Sequence, residues 1–211
     1  HYIEYNVQNG IMAQTYCPEG GLLTYFLPMK AASRKEWAGE RDSFFCCHGT
    51  MVQANAAWNH RLYYQEDDHL YVTMYADSQV SFEMQGLTQN QDYMNGSLMT
   101  CSENNAKQTI NETVSAYANK PDFRKYVFTI HTQEDTPFHL MLRIPDWIRE
   151  DAMVYINDDL YVKTNNTAKF VAINRVWRND DKVTVLLPIG LKFIPLPDDA
   201  SMGAYRYGAD V

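Results

Sequence analysis

The stretch Ser43-Phe44-Phe45-Cys46-Cys47-His48-Gly49-Thr50 holds the densest potential chemistry in this chain. Thiolates are nucleophiles and soft metal ligands, so an adjacent pair followed by a histidine suggests covalent catalysis, a metal centre, or both. The two are poor partners for each other, because a disulfide between neighbouring residues closes a tight, strained ring. The competing reading is a pair of buried small hydrophobes. The chain has four cysteines, Cys17, Cys46, Cys47 and Cys101, too few for a disulfide scaffold. Zinc takes four ligands, and only His48, Glu40 and Asp42 lie near the pair in sequence. No Cys-x-x-Cys or His-x-x-x-His pattern completes a site.

The elements around the pair must hold it in place. Gly49-Thr50 can cap a helix running from about Met51 to His60, with Ala54, Ala56, Ala57 and Trp58 giving it a close-packing surface. The cysteines then lie just before its N-terminus, where backbone N–H groups and the helix dipole favour thiolate over thiol. Upstream, Ile3, Val7, Ile11 and Met12 recur at helical spacing over residues 1 to about 16, although Gly10 weakens the pattern. Pro18-Glu19-Gly20-Gly21 makes a turn, Leu22 to Leu27 is a short strand-like run ended by Pro28, and a polar loop from Lys30 through Ser43 leads to the thiols.

From Arg61 the period switches to two. Strands are expected at 62–64, 70–75, 80–84, 126–132, 138–144, 154–157, 169–173, 182–187 and 191–194, with Asp67-Asp68-His69 as a hairpin loop and residues 86–106 as loop. About nine strands separated by turn signals indicate an antiparallel β-sandwich, making the chain mainly β. The acidic pairs Asp67-Asp68, Asp158-Asp159, Asp180-Asp181 and Asp198-Asp199 could serve glycoside hydrolysis, but each falls at a turn that favours aspartate for backbone reasons. His131 and His139 fall on strands and read as structural. Sequons occur at Asn95, Asn111 and Asn165. No phosphate loop, nucleophile elbow or serine triad signature is present.

Composition is that of an ordinary globular protein, at 45% hydrophobic and 21% charged residues over 211 positions. The net charge of −8 argues against nucleic acid or an anionic membrane as partner. No apolar run approaches the roughly 18 residues that span a bilayer. The chain opens without Met inside a helical pattern and closes on a strand-like run at Gly203 to Tyr207, so both ends read as cut. Localisation is therefore not legible, and cytoplasmic and secreted origins both stay open. Fifteen tyrosines, nine phenylalanines and four tryptophans suit either packed sheets or sugar rings.

Several segments together resemble a known family. Gly10-Ile11-Met12-Ala13-Gln14, then Leu23-Thr24-Tyr25-Phe26-Leu27-Pro28-Met29, then the thiol stretch, are similar to the zinc-dependent β-L-arabinofuranosidases of glycoside hydrolase family 127 and their relatives. Leu140-Met141-Leu142-Arg143-Ile144-Pro145-Asp146-Trp147 and Ile173-Asn174-Arg175-Val176-Trp177-Arg178-Asn179-Asp180-Asp181, with Leu187-Pro188, resemble that family's sandwich. The resemblance runs in order over nearly the whole chain.

It implies that residues 1–60 are the C-terminal segment of an (α/α) barrel catalytic domain, 61–200 a β-sandwich domain, and 201–211 the start of a further strand. It also implies a retaining glycoside hydrolase in which Cys46 is the nucleophile and both Cys46 and Cys47 bind zinc, with His48 and Gln53 as candidate pocket residues. The family's other zinc ligands, a glutamate and a third cysteine, and its glutamate acid/base precede the pair by more residues than this chain has, and Cys17 is too close to be that third cysteine. The implied partners are a carbohydrate substrate of arabinofuranoside type and the missing N-terminal barrel, and the 211-residue chain is expected to be inactive alone. Two departures bear on substrate choice: Phe45 stands where many relatives have Trp, and Gln53 where they often have Glu. The alternative is a non-catalytic sandwich that buttresses a barrel or binds glycan, with an inert cysteine pair and aromatics such as Tyr63, Tyr71 or Tyr75 exposed on one face. A redox protein using the vicinal thiols has no supporting fold signal.

Overall fold

The computed structural model describes residues 1–16, 22–28, 30, 33–38, 45–85, 93–102 and 123–211. Cys17, the turn at 18–21, Met29, Glu40, Asp42, Ser43, Phe44 and Asn111 lie outside the described residues. The chain divides into two compact units, one of residues 1–60 with 209–211 and one of residues 61–208.

In the first unit, α1 (Tyr2–Asn6) runs into a π-helical segment, Val7–Ile11, and a 3₁₀ turn, Met12–Gln14. The expected helix over residues 1–16 is thus helical in direction but irregular in winding. The widened turn places Asn9 to donate to the Tyr5 carbonyl at 3.0 Å and the Ala209 carbonyl at 2.7 Å, and to accept from the Val211 N–H at 2.7 Å. β1 (Thr15–Tyr16) then pairs antiparallel with β2 (Leu22–Leu23). The expected strand over 22–27 stops after two residues because its backbone is used elsewhere. The Thr24 N–H donates to the Gln14 carbonyl at 3.0 Å, and the Leu23 carbonyl accepts from the Ala38 N–H at 2.8 Å. Among the described residues, the unit's longest helix is α2 (Cys46–Ala57).

The second unit is built of strands. One six-stranded sheet has the order β10-β9-β12-β7-β6-β5, from β5 (Ser78–Gln85), β6 (Tyr93–Ser102), β7 (Phe123–Thr132), β9 (Ala152–Ile156), β10 (Asp159–Thr164) and β12 (Lys182–Pro188). A four-stranded sheet has the order β11-β8-β4-β3, from β3 (Tyr63–Glu66), β4 (His69–Val72), β8 (Thr136–Arg143) and β11 (Phe170–Trp177). β13 (Leu191–Pro195) and β14 (Gly203–Tyr207) form a separate hairpin. Neither sheet closes on itself, and the unit is mainly β as expected.

The alternation in β8 turns Phe138, Leu140 and Leu142 inward, at 1%, 0% and 0% exposure. Rings from the two sheets meet there, with Phe82 and Phe138 at 5.1 Å between centroids. Tyr75 packs 5.9 Å from Phe128 and donates to the Arg143 carbonyl at 2.6 Å. Gly96 on β6 is required by a close approach, since a Cβ there would collide with the Phe82 ring and lie 3.2 Å from the His131 carbonyl. Gly96→Ala is expected to cost about 1–3 kcal/mol by overpacking, readable as a lower urea midpoint at unchanged slope.

Three strand expectations need correction. The pairing is not wholly antiparallel, because β4 and β8 run parallel. Residues 93–102, read as loop, form β6 between β5 and β7. The sequence there is polar, but Leu98 and Thr100 alternate inward at 0% and 2% exposure, and neighbouring strands satisfy its backbone on both sides. β10, also missed, is an exposed edge strand that returns from β9 through Asn157 and Asp158, at φ 47° and 71°, the two left-handed residues of a tight hairpin turn.

Candidate active site

Phe45 is the N-cap of α2, so Cys46, Cys47 and His48 are its first three helical residues. The helix starts about five residues before the sequence suggests, and His48 is the reason. Its Nδ1 accepts the Phe45 N–H at 3.0 Å, while its own backbone N–H donates to the Phe45 carbonyl at 3.0 Å. This is one half of a capping box, with an imidazole in place of the usual glutamate or glutamine; the other half is missing, because Phe45 has no side-chain acceptor and its carbonyl takes the His48 N–H instead. An accepting Nδ1 places the neutral ring's proton on Nε2. With His48 only 1% exposed, its visible role is to hold the helix start.

Both thiols are exposed, with their sulfurs 3.7 Å apart. Two thiolates on one tetrahedral zinc, each at about 2.3 Å, would be separated by about 3.8 Å. The pair thus fits two ligands of such an ion without rearrangement. The Tyr25 hydroxyl lies 3.4 Å from Cys46 Sγ and 3.6 Å from Cys47 Sγ. Donation from Tyr25, then from the Cys47 thiol, with a smaller share from the backbone N–H groups of Cys47 and Cys46, holds the Cys46 thiol below its ordinary value. The same contact pushes the Tyr25 hydroxyl up. The directions agree: of the two groups, the Cys46 thiol is the one more easily ionised.

Tyr25 is the residue that sequence reasoning missed. It lies 21 residues before Cys46 in an apolar run that reads as packing, so no local spacing could have found it. Its position is fixed by Thr24, fully buried, whose hydroxyl donates to the Glu36 carbonyl at 2.8 Å. The Tyr25 ring also packs 4.8 Å from Phe45 and 5.5 Å from His48. Beside it opens a pocket of about 460 Å³, lined by Tyr25, Phe26, Arg34, Trp37 and Phe45 among others. Aromatic walls with a few charged groups are the usual make-up of a small-molecule cleft.

Gln53 is exposed and two turns along α2 from Cys46, about 10 Å away along the axis. The structure does not bring it to the thiols. The acidic pairs stand at turns, and Asp181 is committed to structure: it accepts from the Arg178 N–H at 2.9 Å and from Asn157 Nδ2 at 2.6 Å. Tyr63 and Tyr75 bond within the β unit, Tyr63 to Ser78 and Thr100 at 2.8 and 2.6 Å and Tyr75 to the Arg143 carbonyl, so neither offers the exposed platform considered above.

Tyr25→Phe removes the main donor to Cys46. A lowered thiol value means that thiolate is present at a lower pH than in free cysteine, so losing the donor moves the ionisation upward. The iodoacetamide labelling rate of Cys46 at pH 7 is expected to fall severalfold, with its pH profile displaced to higher pH, as followed by peptide mass spectrometry.

Two family models match the chain. Residues 1–60 match the catalytic domain, and residues 93–189 the middle domain, of the GH127 β-L-arabinofuranosidases. Among solved structures, the chain is similar to a GH127 β-L-arabinofuranosidase from Geobacillus Stearothermophilus T6, at 25% identity and TM-score 0.59, over 78% of this chain and 23% of that one. It also shares the fold of a structure described as a glycoside hydrolase, at 16% identity and TM-score 0.58, over 98% of this chain and 31% of that one. The chain thus spans less than a third of either structure. No curated protein matches it. Two consecutive domains of one family, matched in order by sequence and accompanied by a structural likeness to one of its enzymes, place the chain in glycoside hydrolase family 127.

Proposed function

We propose that this chain is part of a retaining glycoside hydrolase of β-L-arabinofuranosidase type in which Cys46 is the nucleophile. Family membership makes the substrate a carbohydrate. The observation that carries the thiol reading is the exposed Cys46 in the first turn of α2, held toward thiolate by Tyr25. An inert, buttressing pair would be buried and unreactive, and these thiols are exposed. In this reading the two-sheet unit is the family's sandwich and residues 1–60 are the last part of the barrel domain.

Cys46 Sγ attacks the anomeric carbon as the glycosidic bond breaks, and the leaving oxygen takes a proton from a general acid. Water, losing a proton to the conjugate base of that acid, then displaces the Cys46 thiolate, so two inversions give net retention. Tyr25 steadies the negative sulfur before attack and again as it leaves. Cys46 and Cys47 would hold zinc together with ligands from outside this chain, and zinc when bound would supply further stabilisation of thiolate at neutral pH. Tyr25, whose hydroxyl touches both sulfurs, packs its ring against the exposed Phe45, and the two rings offer apolar faces to a sugar.

The test uses an aryl β-L-arabinofuranoside with a good leaving group. Protein carrying the whole catalytic domain should release the aryl group and carry a glycosyl adduct on the peptide containing Cys46. The 211-residue chain alone should give no turnover. Adduct elsewhere, or none under turnover with zinc present and thiols reduced, would overturn the nucleophile assignment.

A further inference from the structure

A second set of ligand-type side chains converges in the β unit: Asp68, His69 and His139. Taken as sequence, Asp68 belongs to a solvated turn and His139 to a strand, with nothing to connect them. The parallel pairing of β4 with β8 makes the connection by setting His69 opposite His139. Side chains of paired residues leave a sheet on the same face. The flanking Leu70 and Leu140 point into the core at 1% and 0% exposure, so both imidazoles stand on the outer face, 35% and 27% exposed. Their rings lie 4.4 Å apart with planes inclined by only 7°.

Asp68 is anchored at the end of this pair by its own backbone, whose carbonyl accepts the His139 N–H at 2.8 Å. Its carboxylate reaches both rings, with Oδ1 2.7 Å from His69 Nδ1 and Oδ2 3.7 Å from His139 Nε2. Along the same row of the sheet, Glu66 pairs with His69 from β3 and Asn174 pairs with His139 from β11. Two imidazoles therefore sit between a carboxylate and an amide, with a second carboxylate over them.

The geometry points to a binding site for a borderline divalent transition metal, zinc being the reference case, held by Asp68, His69 Nδ1 and His139 Nε2. Nitrogen and oxygen ligands at about 2.0–2.2 Å from a tetrahedral ion lie about 3.4 Å apart. The two measured separations bracket that value, and all three donor atoms fall within 4.8 Å of one another. Binding exchanges the proton now between His69 and Asp68 for the cation and turns the two stacked rings out of parallel, so that their in-plane lone pairs converge on the ion. Two imidazole nitrogens with one carboxylate favour zinc, copper or nickel over magnesium or calcium, which take oxygen ligands. The fourth position faces solvent or Glu66. The ion would clamp the β3–β4 hairpin to β8, joining strands far apart in sequence. Its ligands share nothing with the thiol site, and the assignment does not rest on the proposed hydrolase activity.

The experiment titrates Zn²⁺ by calorimetry into the full 211-residue chain carrying Cys46→Ser and Cys47→Ser, so that the vicinal thiols do not compete. One zinc per chain is expected, with a rise in melting temperature and movement of two sets of histidine ring resonances in the NMR spectrum. Adding His69→Ala or His139→Ala should weaken binding at least about tenfold. The metal-free melting temperatures of these variants should match their parent, which shows that the loss is one of ligands rather than of fold. Absence of saturable zinc uptake in the double-serine chain would overturn the proposal. Uptake that His69→Ala and His139→Ala leave unchanged would do the same.

Discussion

Replacing Cys46 with serine in a protein that carries the whole catalytic domain is expected to lower kcat/KM at least about 10³-fold, equivalent to about 4 kcal/mol of transition-state stabilisation. Size does not explain the loss, because the hydroxyl is nearly isosteric with the thiol. Ionisation does. Tyr25, Cys47 and the backbone N–H groups of the first helical turn lower an already acidic thiol, whereas a serine hydroxyl stays protonated under the same influences. Cys47→Ser makes the informative comparison, since it leaves the 3.4 Å Tyr25–Cys46 contact in place and removes one sulfur from the proposed metal site. Its activity should fall less and rise with added zinc, while Cys46→Ser should not respond to zinc at any concentration. Initial rates, metal content and intact mass on both variants decide the matter. A Cys46→Ser protein with near-parental rates would end the nucleophile reading, as would a Cys47→Ser protein with the larger loss and no zinc response.

How far this site could be read from sequence depends on how local each signal is. The vicinal thiols are visible because both residues are adjacent and their types carry the chemistry. Their setting at a helix start is nearly visible, since Gly49-Thr50 looks like a cap; the true cap needed an imidazole to act as a glutamine, which His48 does through Nδ1. Tyr25 is invisible, because only the fold brings its hydroxyl to the sulfurs. The β unit divides the same way. Strands with alternating burial such as β8 are legible from period two, whereas β6 is legible only through the neighbours that complete its ladder. The parallel pairing of β4 with β8, on which the His69–His139 juxtaposition depends, leaves no trace in either strand alone. Pairing partners are a property of topology, and period two cannot encode them.

Trp177→Ala is expected to cost about 3–5 kcal/mol, a large share of what a domain of this size has in reserve. Trp177 is the last residue of β11, fully buried, with its ring 5.4 Å from Phe138 and its indole N–H donating to the Phe138 carbonyl at 3.1 Å. Phe138 in turn meets Phe82 of the opposite sheet. The indole therefore backs the ring pair that joins the sheets, and its removal leaves a cavity beside that pair. Arg175 also lies over the Trp177 ring at 5.1 Å and reaches Asp181 at 3.5 Å, so the loss extends to the turn into β12. Trp177→Phe separates the contributions. It keeps most of the apolar contact and removes the hydrogen bond, so a cost nearer 1–3 kcal/mol is expected. Urea unfolding followed by circular dichroism should rank the parent above Trp177→Phe and Trp177→Ala last, with similar slopes for all three. If Trp177→Phe proves as damaging as Trp177→Ala, the indole N–H bond to β8 contributes more than the apolar contact of the ring. If neither variant moves the midpoint, Trp177 is no part of the core that joins them.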